Sequence, residues 1–147
     1  MKKLFSDSIP RISGIYPHLA VANEGRSETG IGMVVYWAGK LWFTTYANAG
    51  YAGDDNKLFY VKDNMELGIA PESVGGTHAN RFIHEPSGQL IIGDYFIDKE
   101  GHVRVVDPKY FHGRMTGNGK HLFNPDTMVY FNSMEAGLYE VNVNTLK

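Results

Sequence analysis

The chain has 147 residues and no cysteine, carries a net charge of −2, and is rich in Gly, Tyr and Phe (17, 9 and 8 residues). That is one domain's worth of chain, long enough for a proper core. The balanced charge leaves no basic footprint for nucleic acid and no polybasic patch for a membrane surface; the lack of thiols excludes a disulfide framework, a thiolate metal site and a cysteine nucleophile.

Met1-Lys2-Lys3-Leu4-Phe5 begins as an export signal does, but Ser6, Asp7, Ser8 and Pro10 break the apolar run before it reaches the length of an h-region. The expectation is no signal peptide and no transmembrane span, hence a cytoplasmic chain, or an extracytoplasmic one if a signal has been removed. Residues 1–29 read as an extended segment. Its Ile9, Ile12, Ile15, Leu19 and Val21 suit an outer strand that completes a blade in cis or in trans.

From residue 30 onward the chain repeats. Leu58-Phe59-Tyr60-Val61-Lys62-Asp63-Asn64-Met65 recurs as Leu138-Tyr139-Glu140-Val141-Asn142-Val143-Asn144-Thr145, an offset of 80 residues, with a weaker copy between. Three turns align as well. Ala38-Gly39 precedes Leu41-Trp42-Phe43, Ser87-Gly88 precedes Leu90-Ile91-Ile92, and Pro125-Asp126 precedes Met128-Val129-Tyr130. Each is a turn dipeptide, a polar residue and then an apolar run rich in β-branched or aromatic side chains. A first strand is expected before each turn, at residues 33–37, 80–84 and 120–123. A third strand is expected after each apolar run, at 57–62, 103–106 and 138–144. Residues 48–56 have loop composition and lengthen the first unit, a cheap insertion because closure entropy grows slowly with length. No window of a dozen residues keeps a helical apolar stripe.

Repeats of about 40 residues made of short strands point to propeller blades. The predicted fold is all-β, a β-propeller-like array of about three four-stranded antiparallel blades (about 31–72, 73–110 and 111–147) forming an incomplete ring. The last blade is expected to lack its fourth strand. Uncovered end faces carrying Trp42, Phe43, Tyr130 or Phe131 would aggregate if left wet, so self-association, or pairing with the remainder of a longer propeller, is expected.

The run Leu138-Tyr139-Glu140-Val141-Asn142-Val143-Asn144-Thr145-Leu146 resembles the "apolar-Tyr-x-Val-Asp-x-x-Thr-Leu" strand end of β-propeller repeat proteins of the WD-repeat, YVTN and sugar-acting types, and the run from Leu58 to Glu66 is similar. The Gly-His and Trp-Asp signature of the WD repeat, the kelch double glycine in register and the sialidase Asp-box are absent. The resemblance covers residues 30–147 as architecture, is nearest to propellers found beside polysaccharide-utilisation proteins, and brings no active-site residues with it.

Candidate chemistry gathers on the innermost strands, which line the channel of a propeller. His78, His84 and His121 are candidates for a divalent metal or a general base, set against histidines that merely hydrogen-bond at strand ends. Arg81 suits a carboxylate or phosphate, set against a structural bridge between blades; Arg114, in a Gly-rich loop, reads as structural. Asp54-Asp55-Asn56 reads as a solvated turn. Glu85, Asp94, Asp98 and Glu135 supply carboxylates without a spacing that pairs them. Gly113 to Lys120 lacks the ending of a phosphate loop. Tyr46, Tyr51, Tyr95, Tyr110 and Phe111 are expected at strand ends or loops, where aromatic platforms with neighbouring amides suit sugars or protein surfaces.

The expected function is a non-catalytic ligand-binding or scaffold module, with a glycan as the small ligand and Arg81, His78, Asn80, Tyr46 and Tyr95 as its contacts. No cofactor and no nucleic-acid or membrane partner is expected. One alternative is a subunit or fragment of a propeller-type polysaccharide lyase or glycoside hydrolase acting through His84, His121 and Arg81, with a divalent metal at the channel histidines. Another is a protein–protein interaction module.

Overall fold

The computed structural model describes residues 30–46 and 56–147. These form eleven strands and one 3₁₀ turn in three antiparallel sheets. The first sheet is β1 (Gly30–Trp37), β2 (Lys40–Tyr46), β3 (Leu58–Lys62) and β4 (Leu67–Ile69). The second is β5 (Arg81–His84), β6 (Gln89–Ile92), β7 (Tyr95–Ile97) and β8 (Val103–Val105). The third is β9 (Met115–Lys120), β10 (Met128–Ser133) and β11 (Gly137–Asn142). Neighbours in sequence are neighbours in each sheet, as in a meander. The β1–β2 turn shows why: Ala38 and Gly39 both hold positive φ (49° and 73°), the twist that a two-residue hairpin needs.

The sheets stack face to face in chain order. Met33, Trp42 and Leu58 of the first meet Leu90, Ile92, Tyr95 and Ile97 of the second. Ile91 and Phe96, on the opposite side of the second sheet, meet Met115, Val129, Phe131 and Val141 of the third. Every residue of β6 and β7 is therefore buried, as its continuous apolar run foretells. The Trp37 indole N–H ties the first two sheets by donating to the carbonyls of Ile97 (3.1 Å) and Asp98 (2.8 Å). The far face of the first sheet carries a third buried cluster of Phe43, Phe59 and Val61. The array is open rather than closed on itself, and among the described residues no helix is long and apolar enough to cross a membrane.

Several expectations change. The first strand of the third sheet is Met115–Lys120, not 120–123; Leu122 and Phe123 stand in the following turn, largely exposed. The glycines of this stretch are tolerated because Asn118 supplies fixed bonds, its amide donating to the Tyr130 carbonyl at 3.2 Å. In the second sheet, the stretch expected as third strand holds the fourth, Val103–Val105; the third is Tyr95–Ile97, reached through the tight Gly93-Asp94 turn. Trp42 and Phe131 are not on end faces but between sheets, and Phe43 is fully buried. The third sheet has three strands among the described residues, in line with the fourth strand expected to be lacking from the last unit. Asn56 is buried rather than solvated, while residues 1–29, Asp54, Asp55, Asn48, Tyr51 and the Tyr46 side chain lie outside the described residues.

Candidate functional site

One end of the stack collects polar chemistry. The register places the ends of Arg81, Ile92 and Tyr95 level with one another, so the segment before β5 lies beside the Gly93-Asp94 turn. That segment, Thr77-His78-Ala79-Asn80, is stitched to the sheets on both sides. The Ala79 N–H donates to Met115 O (2.8 Å), and the Thr44 hydroxyl to His78 O (3.4 Å). The Asn80 amide donates to Gly93 O (2.8 Å) and to Asn118 Oδ1 (2.9 Å), which orients it. Its Oδ1 is then left as a free acceptor.

His78, Asn80 and Asp94 are 4%, 1% and 2% exposed. The Met115 N–H donates to His78 Nδ1 at 3.1 Å. Nδ1 therefore carries a lone pair, and the ring proton sits on Nε2. Nε2 is 3.2 Å from Asp94 Oδ2, but out of line, so the contact is electrostatic rather than a hydrogen bond. Three buried atoms of this cluster have no hydrogen-bond partner: His78 Nε2, Asn80 Oδ1 and Asp94 Oδ1. Buried polar atoms are nearly always satisfied, so these three concentrate unmet hydrogen-bonding capacity at one place among the described residues. The Gly75-Gly76 turn lies directly over His78. A Cβ on Gly76 would overlap Nε2, and the backbone there has φ 109°.

Tyr95 anchors that turn. Its hydroxyl accepts from the Val74 and Gly75 N–H groups (3.0 and 3.2 Å), which turns its own proton toward Ser73 Oγ at 3.2 Å. Burial raises its ionisation above the ordinary 10.0, and the Asp94 charge adds to this against the hydrogen bonds shared with Ser73, Val74 and Gly75. Tyr95 is 1% exposed; the expected surface platform is instead an internal post. Arg81 is the cluster's exposed neighbour, donating to the Val34 carbonyl of β1 at 3.1 Å.

The other histidines do not join this group. β5 and β9 both run away from it, so His84 and His121 lie at the opposite end of the sheets. His84 is buried with both ring nitrogens engaged, Nδ1 with Ser87 Oγ and Nε2 with Pro125 O, each at 2.7 Å. His121 Nδ1 accepts from the Phe123 and Asn124 N–H groups (3.1 and 2.9 Å). Nε2 then donates to Glu140 Oε1 (3.2 Å), and the ring stacks on Tyr130. Both fix turns, and the expected set of three channel histidines is not brought together. Arg114 pairs with Glu135, whose carboxyl is held low first by the Arg114 N–H and then by its guanidinium. Asp98, Glu100 and His102 approach one another in the β7–β8 turn, but Asp98 there accepts the Glu100 and His102 N–H groups (3.0 and 2.8 Å), which accounts for the cluster without an ion.

No protein-family model, curated protein or solved structure matches the chain. The site therefore rests on its own geometry. Asp94 is the residue that sequence reasoning left among unpaired carboxylates. The available signal was Gly93-Asp94 between two apolar runs, a hairpin turn that folds Asp94 back beside the strand preceded by His78.

Proposed function

We propose that the chain is a non-catalytic binding module of propeller type, and that its small ligand is a carbohydrate taken at the end of the stack where His78, Asn80, Asp94 and Arg81 meet. One observation carries the reading: one donor, His78 Nε2–H, and two acceptors, Asn80 Oδ1 and Asp94 Oδ1, that make no hydrogen bond among the described residues. A hydroxyl group both donates and accepts, so vicinal hydroxyls complement such a set, while a lone cation or anion satisfies only part of it. The exposed Arg81 adds a charged donor at the margin. Because the three atoms are covered, binding includes displacement of what lies over them, the Gly76 backbone above His78 Nε2 first.

The enzyme alternative has less behind it. His84 and His121 spend their ring nitrogens on turn-forming bonds far from Arg81, so a base and an electrophile do not face a common space. A glycan array followed by calorimetric titration tests the proposal. Saturable binding to a glycan, lost at least tenfold in Asp94→Asn with folding intact, is the expected result. A blank array, or binding indifferent to that substitution, overturns it.

A further inference from the structure

The outer edge of β11 is the second feature without an assigned role. Asn142 uses its carbonyl and N–H on Leu146 and Lys147, whereas Val143 donates inward to Thr127. Counting back by two along the strand, Glu140 and Leu138 also turn their N–H and carbonyl groups away from β10. No strand among the described residues pairs with this edge. Beside it lies a cleft of about 320 Å³ whose apolar lining is Val106, Tyr110, Phe111, Tyr139, Val141 and Leu146.

The other two sheets show what belongs in such a place. Their fourth strands are Leu67-Gly68-Ile69 and Val103-Arg104-Val105, each with two apolar residues around a central one. In β8 the two valines pack toward the preceding sheet. Arg104 points the other way, donating to the carbonyls of Val143 (2.7 Å) and Asn144 (2.8 Å). A strand laid on β11 in the same sense puts its flanking residues into the cleft against Phe111 and Tyr139. Its central residue then falls on the far face. Tyr139 and Val141 face the second sheet, so Glu140 occupies that far face, and its side chain is 58% exposed.

We infer that β11 is a strand-addition site for an extended segment of a partner protein, with two apolar residues flanking a basic one. Main-chain bonds to Leu138 and Glu140 supply the affinity, the cleft selects the apolar pair, and Glu140, whose Oε1 takes the His121 ring and whose Oε2 is left to the partner, selects the central cation. This site is independent of the His78 end.

The test uses the full chain and two acetylated peptides, one centred on Thr-Val-Arg-Val-Thr and one with Glu in place of Arg. The expected result is saturable binding of the Arg peptide, with the Leu138 and Glu140 amides becoming protected from hydrogen exchange. The Glu peptide binds roughly threefold or more weakly, the scale of an exposed ion pair. Glu140→Lys reverses that order, and Leu138→Pro, which removes an outward N–H and also fixes φ within the strand, abolishes binding of both while hydrogen exchange shows the β10–β11 pairing intact. Equal binding of the two peptides, or none, overturns the inference. So does protection of these amides without peptide: at monomer mass it assigns the edge to residues 1–29, and at dimer mass to a second copy.

Discussion

At the scale of single residues, hydrogen-bond accounting separates polar groups consumed by the fold from those it leaves unsatisfied more sharply than residue type does. His84 and His121 match the chemistry of catalysis on paper, yet their nitrogens are consumed by Ser87, Pro125, Phe123, Asn124 and Glu140. Tyr95 is the clearest case. Its hydroxyl satisfies two backbone N–H groups at the start of the Gly75-Gly76 turn. Tyr95→Phe strands both, and the expected loss is about 1–3 kcal/mol near neutral pH, measured by urea unfolding. The pH dependence follows from the raised ionisation of the buried phenol. Above the unfolded value of 10.0 the native state keeps a proton that the unfolded chain releases. Stability is then whole below that value and falls as pH rises through the native ionisation. Tyr95→Phe removes this alkaline component, so its stability curve is flatter than that of the parent above about pH 10.

At the scale of elements, β9 is the instructive strand. Met115-Thr116-Gly117-Asn118-Gly119-Lys120 has the composition of a loop, and sequence reading puts the strand in the more apolar residues after it. The strand forms because β10 offers a full partner from Val129 to Ser133 and because Asn118 bonds to both Asn80 and Tyr130. A tertiary partner thus outweighs local propensity. Nothing lies within 4 Å of a Cβ built on Gly117. Gly117→Thr is therefore expected to stabilise the chain by roughly 0.5–1 kcal/mol, visible as a higher midpoint in thermal unfolding. A fall in the midpoint would mean that the glycine serves a contact rather than a vacancy.

At the scale of the whole molecule, the second sheet is the keystone, because both its faces are interfaces. Phe96 lies on the side toward the third sheet, its ring 5.9 Å from that of Phe131. Phe96→Ala is expected to cost about 3–5 kcal/mol, a large part of a typical total of 5–15 kcal/mol. Loss should be shared by the neighbouring sheets, so near-ultraviolet dichroism and hydrogen exchange in β10 should decay together; persistence of β10 protection would show that the sheets unfold separately. The sequence alone determines the strand composition, the hairpin turns and the burial of β6, because these depend on local dihedral preferences and on alternation within a few residues. It also marks His78 and Asn80 as polar residues at the entrance to the first strand of the second sheet. Only the tertiary structure decides that Asp94 joins them, that Tyr95 is internal and that His84 and His121 stand at the other end. Those facts depend on which turns face one another across packed sheets. Residues far apart in the chain set the hydrogen-bond balance there, and no local pattern encodes it.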